Sequence, residues 1–163
     1  MIYLQKLSPN DGMIFYDLLQ DIEGEVFSMH NEVHGKSYDF YKTWLSQMNN
    51  WDLDKDLPDG YVRQTTYWLM KGEKPIGICR LRHRLTASSR KYGGSFGYSI
   101  SPKYRKRGYG NLLVQLILSE AKKLNIHEII SMVACDNIAS NKIMLKNKGE
   151  LFHRNEQFNY YRF

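Results

Sequence analysis

Apolar positions along the chain change period several times, and each change marks a candidate element. Ile2–Leu7 reads as a strand, and Asn10 and Asp11 are good caps for a helix carrying Met13, Ile14, Phe15, Leu18 and Leu19. Ser37 offers another cap, after which Tyr41, Trp44, Leu45 and Met48 recur every three or four residues and predict a single apolar helical face. That stripe suits either a core or a pocket wall. From Asn49 to Gly60 turn formers and acids predict a loop.

Beyond it, β-rich runs dominate. Arg63–Met70 and Ile76–Leu85 flank a Gly72/Pro75 connection and predict an antiparallel hairpin. Ser95–Ile100 follows the Gly93, Gly94 turn and stops at Pro102, which cannot donate to a ladder. The period then shifts to 3.6: Leu113, Val114, Ile117, Ala121 and Leu124 share one face of a helix over Gly108–Leu124. Glu128–Ala134 is a strand, so Ser95–Ala134 has the form of a strand, helix, strand crossover with parallel strands. Asp136 or Asn137 caps a further helix ending near Gly149, and Leu151–Asn155 with Gln157–Phe163 reads as a closing hairpin. A meander joined to one βαβ unit predicts an α/β (α+β) domain with a single, mostly antiparallel mixed sheet.

Length and composition narrow this picture. At 163 residues one domain is expected, and no apolar run reaches the 18 residues that a membrane span needs. The first twelve residues lack the basic-then-apolar order of a secretory signal, which predicts a cytoplasmic protein. Cys79 and Cys135 are far apart and in no CxxC spacing, so neither a disulfide scaffold nor a cysteine zinc site is expected. His30-Asn-Glu-Val-His34 has two histidines at i and i+4 but no glutamate beside the first, so it is not the zinc-protease helix and no metal is predicted. The net charge of +6 favours an anionic partner, with the basic residues concentrated in Arg80, Arg82, Arg84 and in Lys103, Arg105, Lys106, Arg107.

The segment GYSISPKYRKRGYGNLLVQLIL runs from a strand through a basic, glycine-bearing loop into a helix start. Free N–H groups at such a start, together with the positive end of the helix dipole, can hold phosphate oxygens, and Gly108 and Gly110 let the main chain come close. A tight turn inside a solvated basic loop would carry the same residues. The spacing is neither a Walker A loop nor a dinucleotide fingerprint.

The order Arg105-x-x-Gly108-x-Gly110 after a strand resembles the pyrophosphate-binding motif of the GNAT superfamily of N-acetyltransferases. A second signature follows: Asn137-x-x-Ser140, then Ile143, Lys146 and Gly149. The resemblance spans about Tyr67 to Gly149. It implies helices on both sheet faces and a sheet splayed between Ser95–Ile100 and Glu128–Ala134, with acetyl-CoA in the opening and no metal. Pantetheine would pair with main-chain groups near Tyr98, Ser99 and Ile100. Pyrophosphate would sit on Arg105, Lys106, Arg107, Gly108, Tyr109 and Gly110, and Asn137 with Ser140 would contact pantetheine or simply cap a helix. Residues 1–60 would form the substrate side of a single domain over 1–163, and 61–163 the acyl-CoA-binding core.

The implied reaction is attack by a neutral amine of a small molecule or peptide on the thioester, through an oxyanion stabilised by a backbone N–H. The chain departs from the family pattern where a tyrosine acid often stands (Met144) and where a glutamate base often stands (Ser95). His83 is the substitute base by its titration range, or else a buried structural histidine, and Tyr98 is the candidate acid. Two rival readings keep the fold or the charge but change the function: a CoA-binding sensor without turnover, and a nucleic-acid or anionic-surface module, the less favoured of the two. No membrane partner is expected, and a homodimer is allowed.

Overall fold

The computed structural model describes residues 1–26 and 29–163. Strands β1 (Ile2–Lys6), β4 (Gln64–Lys71), β5 (Lys74–Arg82) and β6 (Phe96–Ile100) form one antiparallel sheet in the order β1-β4-β5-β6. Strands β7 (Ile130–Ala134), β8 (Glu150–Arg154) and β9 (Phe158–Arg162) form a second, ordered β7-β9-β8. A short hairpin, β2 (Glu25–Val26) with β3 (Met29–His30), lies between the first two long helices. The helices are α1 (Met13–Asp21), α2 (Tyr38–Asp52), α3 (Ala87–Lys91), α4 (Tyr109–Lys123) and α5 (Ile138–Lys146).

Alternation along the strands splits the core in two. Trp68, Met70 and Ile78 pack with Leu18, Leu19, Tyr41, Trp44 and Met48 of α1 and α2. Tyr67, Leu69, Cys79, Leu81 and Phe96 pack on the other face with Leu113, Val114, Ile117 and Met144 of α4 and α5. The α2 stripe is therefore core, fixed at its start by Ser37, whose side chain accepts from the Phe40 N–H.

Several boundaries move, each for a local reason. Gly12, not Asn10 or Asp11, stands at the α1 cap; the Asp11 carboxylate instead accepts from the Ser8 N–H and from the buried Trp68 indole at 2.7 Å. Helix α2 runs on through Asp52 because Trp51 is buried against Tyr61. Helix α3, unmarked by any apolar stripe, is held by a Thr86–Ser89 capping box. Leu124 falls outside the α4 core face and is exposed. Strand β9 lies between β7 and β8, so the terminal hairpin enters the second sheet instead of merely closing its edge.

Candidate functional site

The two sheets meet at one point. The Ser95 N–H donates to the Ile130 carbonyl at 2.6 Å, and the Ile130 N–H donates back to the Ser95 hydroxyl at 2.9 Å. Gly94 makes this contact possible: its φ is +65°, and a Cβ there would stand 2.4 Å from the Ile130 oxygen. Arg90 pairs with Glu128, and the Tyr160 hydroxyl donates to the Lys91 carbonyl, so α3 ties both sheets together at this end. Among the described residues no ladder joins β6 to β7, so the two strands are linked by backbone only through Ser95 and Ile130. Ser95, which stands where a base was sought in the sequence, is the pin of this junction.

The β6 ladder decides which main-chain groups face the opening. The Arg82 N–H donates to Ser95 O and the Ser101 N–H to Ile76 O. By alternation Gly97 and Ser99 bond to β5, whereas Phe96, Tyr98 and Ile100 point away from it. Ser99 is thus committed to the sheet, contrary to its expected place beside a ligand. The Ile100 carbonyl is taken by Arg105 Nε at 2.9 Å, which leaves Phe96 and Tyr98 open.

At the wide end, Lys106 (φ +60°) and Gly108 (φ +83°) turn the chain into α4. Among the described residues no acceptor meets the N–H groups from Lys106 through Gly110, so a row of donors lies at the positive end of a 15-residue helix. The side chains depart from expectation. Arg105 is held in a two-point pair by Glu23 and Lys103 by Asp21, so much of the basic cluster is neutralised internally. Arg107 lies over Tyr104 and Lys71 over Tyr109. Gly110 serves packing, since a Cβ there would stand 3.1 Å from Ile143 of α5.

Across the opening, the Tyr98 and Ser140 hydroxyls are hydrogen-bonded at 2.8 Å, and burial raises the Tyr98 pKa. Asn137 Oδ1 accepts from the Ser140 N–H at 3.1 Å and so caps α5. Met144 is fully buried in the core.

His83 is drawn elsewhere. Its Nε2 lies 2.7 Å from the Thr65 hydroxyl, which donates its own proton to Asp52, itself paired with Lys6. The hydroxyl can therefore only accept from His83, making Nε2 a donor. Burial and then the Arg63 charge lower the His83 pKa. In the neutral ring the proton therefore sits on Nε2, and Nδ1 is the nitrogen of His83 left to serve as a base.

On the α1/α2 face of the sheet a cavity of about 240 Å³ reaches Gly97 of β6. Its walls include His30, Glu32, Trp51, Gln64, Arg80 and Arg82. Arg80 and Arg82 are therefore half-buried cavity residues and not an exposed stripe. Arg80 makes a two-point pair with Glu32, at 2.9 and 2.6 Å, and holds the Glu32 carboxyl below its usual range despite the raising effect of burial. His30 Nδ1 lies 2.7 Å from Glu25 at the cavity mouth. The sequence segment 29–34 carries no periodic signal, and only the β2–β3 hairpin brings it here.

A family model described as an acetyltransferase (GNAT) domain matches residues 2–150. No curated protein matches the sequence. Among solved structures, the Campylobacter jejuni N-acetyltransferase PseH in complex with acetyl coenzyme A aligns with a TM-score of 0.66 at 15% identity, over 100% of this chain and 98% of that one. The ribosomal α-N-protein acetyltransferase RimL in complex with coenzyme A gives 0.71 at 12% identity, over 99% and 93%. Mutant forms of the Vibrio cholerae spermidine/spermine N-acetyltransferase SpeG give 0.65 at 15% identity, over 100% and 94%. These likenesses agree in fold, and the family match over nearly the whole length leads to one conclusion: the chain belongs to the GNAT acetyltransferase family.

Proposed function

We propose that the chain transfers the acetyl group of acetyl-CoA to a primary amine of a small molecule or peptide. One observation carries this reading: a strand edge with open main-chain groups, at Phe96 and Tyr98, leads into a helix start whose N–H groups from Lys106 to Gly110 meet no acceptor among the described residues. An extended pantetheine and a pyrophosphate are the chemistry that such a pair of features fits. The free thiols of Cys79 and Cys135 suit a reducing compartment, and we assign the activity to the cytoplasm.

Acetyl-CoA supplies, when bound, an acyl group on a sulfur leaving group. Lys106 through Gly110 hold its phosphates by main-chain donors, and Tyr98 aligns the pantetheine between β6 and α5. The Tyr98 N–H is a fixed donor for a carbonyl oxygen in the opening. The Tyr98 hydroxyl, kept protonated by burial, can give a proton to the departing sulfur while Ser140 orients it. Residues 1–60 form the acceptor side through Glu32 and Trp51. There His30, whose Nδ1 lies beside Glu25, offers Nε2 to take the ammonium proton, directly or through water.

Calorimetric titration with acetyl-CoA, followed by thiol release in the presence of an amine panel, tests the reading. Binding with thiol release is expected; absence of binding would overturn it. A CoA sensor without turnover is the second reading, favoured by the buried Met144 thioether, which cannot donate a proton. Binding without thiol release from any amine would select it. The nucleic-acid reading loses its main support, because Arg80 and Arg82 face inward and Arg105 and Lys103 are paired.

A further inference from the structure

The floor of the acceptor cavity is made of two cross-strand rows. Gln64 of β4 stands opposite Arg82 of β5, and Thr66, Arg80 and Gly97 form the next row. The two arginines, two residues apart on one strand, are treated very differently by the protein. Arg80 is compensated: both terminal nitrogens lie on Glu32, whose second oxygen also accepts from the Trp44 indole, and the guanidinium stacks 5.8 Å above the Trp44 ring.

Arg82 has no such partner. Its Nη1 donates to the Gly94 carbonyl at 2.6 Å, and among the described residues no carboxylate reaches it. A guanidinium carries five N–H donors, so most of its hydrogen-bonding capacity is unused. Burial, and then the charge of Arg80, hold its pKa below the usual arginine value. A half-buried guanidinium with no carboxylate partner among the described residues is open to an oxyanion entering the cavity.

Further polar groups gather around it. Gln64 is only 4% exposed and lines the cavity beside Arg82. The Trp51 indole N–H is buried and has no partner among the described residues. Gln64, Trp51 and Arg82 all line the 240 Å³ cavity, and Gln64 and Arg82 also line an adjoining one of about 140 Å³, together with Tyr61 and Ser88. One end of the acceptor site therefore holds a bare cation ringed by polar groups. The other end reaches β6 at Gly97, where the acyl group must be met.

We propose that the amine acceptor carries an oxyanionic group, a carboxylate or a phosphate, seated on Arg82 with Gln64 beside it, while its amine approaches the β6 edge past Gly97. The inference rests on the acetyl-transfer reading and narrows it to amines with an acidic group. A planar guanidinium receives either oxyanion by two parallel hydrogen bonds, which fixes the acceptor's direction as well as its charge.

Three short amines of similar length test this: propylamine, β-alanine and O-phosphoethanolamine. In thiol release from acetyl-CoA, at least one oxyanionic amine should exceed propylamine in kcat/KM by about 30-fold or more, since a site built around a charged hydrogen bond rejects an analogue without it. The better of the two identifies carboxylate or phosphate. Arg82→Gln should bring that ratio to within about threefold of unity. Gln64→Glu keeps the guanidinium but offers it an internal carboxylate, so it should erase the preference without exposing the fold to an uncompensated loss. The same oxyanionic amines, titrated calorimetrically into the protein with CoA present, should bind about 30-fold more weakly to both variants.

Equal wild-type rates for the three amines would overturn the proposal, as would no wild-type binding of either oxyanionic amine or ratios unchanged in both folded variants. Arg82-dependent binding without thiol release would uphold the anion site and remove the acetyl-transfer reading. Thiol release confined to propylamine would do the reverse.

Discussion

The two faces of the β6 strand offer different groups to a ligand. Toward α4 these are main-chain groups: Phe96 and Tyr98, then the N–H donors from Lys106 to Gly110, which meet no acceptor among the described residues, with Arg105 turned away to Glu23. Toward α1 and α2 the cavity is side chain: Glu32, Trp51, Gln64, Arg80 and Arg82, each from a different stretch or strand position. Main-chain recognition needs a particular backbone path and tolerates most side chains, which suits an invariant cofactor moiety. Side-chain recognition can change with single substitutions, which suits the partner that differs from one enzyme to another.

The first way to break this contrast is Gly108→Glu. It forces a left-handed φ on a non-glycine residue and sets a negative charge where phosphate must approach, so acetyl-CoA affinity should fall by roughly 100-fold or more. Calorimetry measures it; an unchanged dissociation constant in a folded variant would remove the main-chain cradle. Gly94→Ala strikes the root of the opening instead. Its Cβ would collide with the Ile130 carbonyl, and a loss of roughly 3 kcal/mol in urea unfolding is expected from strain and displacement of the two sheets.

Met144→Tyr restores the hydroxyl that the family pattern leads one to seek, but at a fully buried position. Overpacking should lower stability by roughly 2 kcal/mol without a rate gain. A faster, equally stable variant would show that the core there yields. Tyr98→Phe removes the proposed acid while keeping the ring. We expect kcat to fall by about tenfold or more with acetyl-CoA affinity nearly unchanged. Because the Tyr98 pKa is raised, the wild-type rate should lose this acid only above the ordinary tyrosine value of 10.0. Equal kcat for both proteins would strip Tyr98 of the role.

The smallest effect is expected at His83. Its lowered pKa means that the unfolded chain binds a proton before the folded one does, so the stability it contributes is present at neutral pH. That stability declines as pH falls through the ordinary histidine value of 6.5. His83→Gln should flatten this decline in urea titrations and leave turnover within about threefold, as suits a donor to Thr65. A loss of turnover near 100-fold would instead return the base role to His83.

What the sequence determined by itself is what is local. The α4 stripe, the Ser37 cap, the β4–β5 hairpin and the loop from Arg105 to Gly110 each need only neighbours in the chain, because period, capping preference and glycine conformation are short-range properties. Even there, side-chain fates escaped: nothing near Arg105 in sequence announces Glu23, nor does anything near Asp11 announce Trp68. The tertiary structure alone decided that Ser95 pins two sheets, that Thr65 and Asp52 take up His83, and that Arg80 is neutralised while Arg82 is not. Those outcomes depend on which distant groups strand alternation and helix docking bring within hydrogen-bonding reach. An unpaired charge is visible only once every possible partner has been given its place.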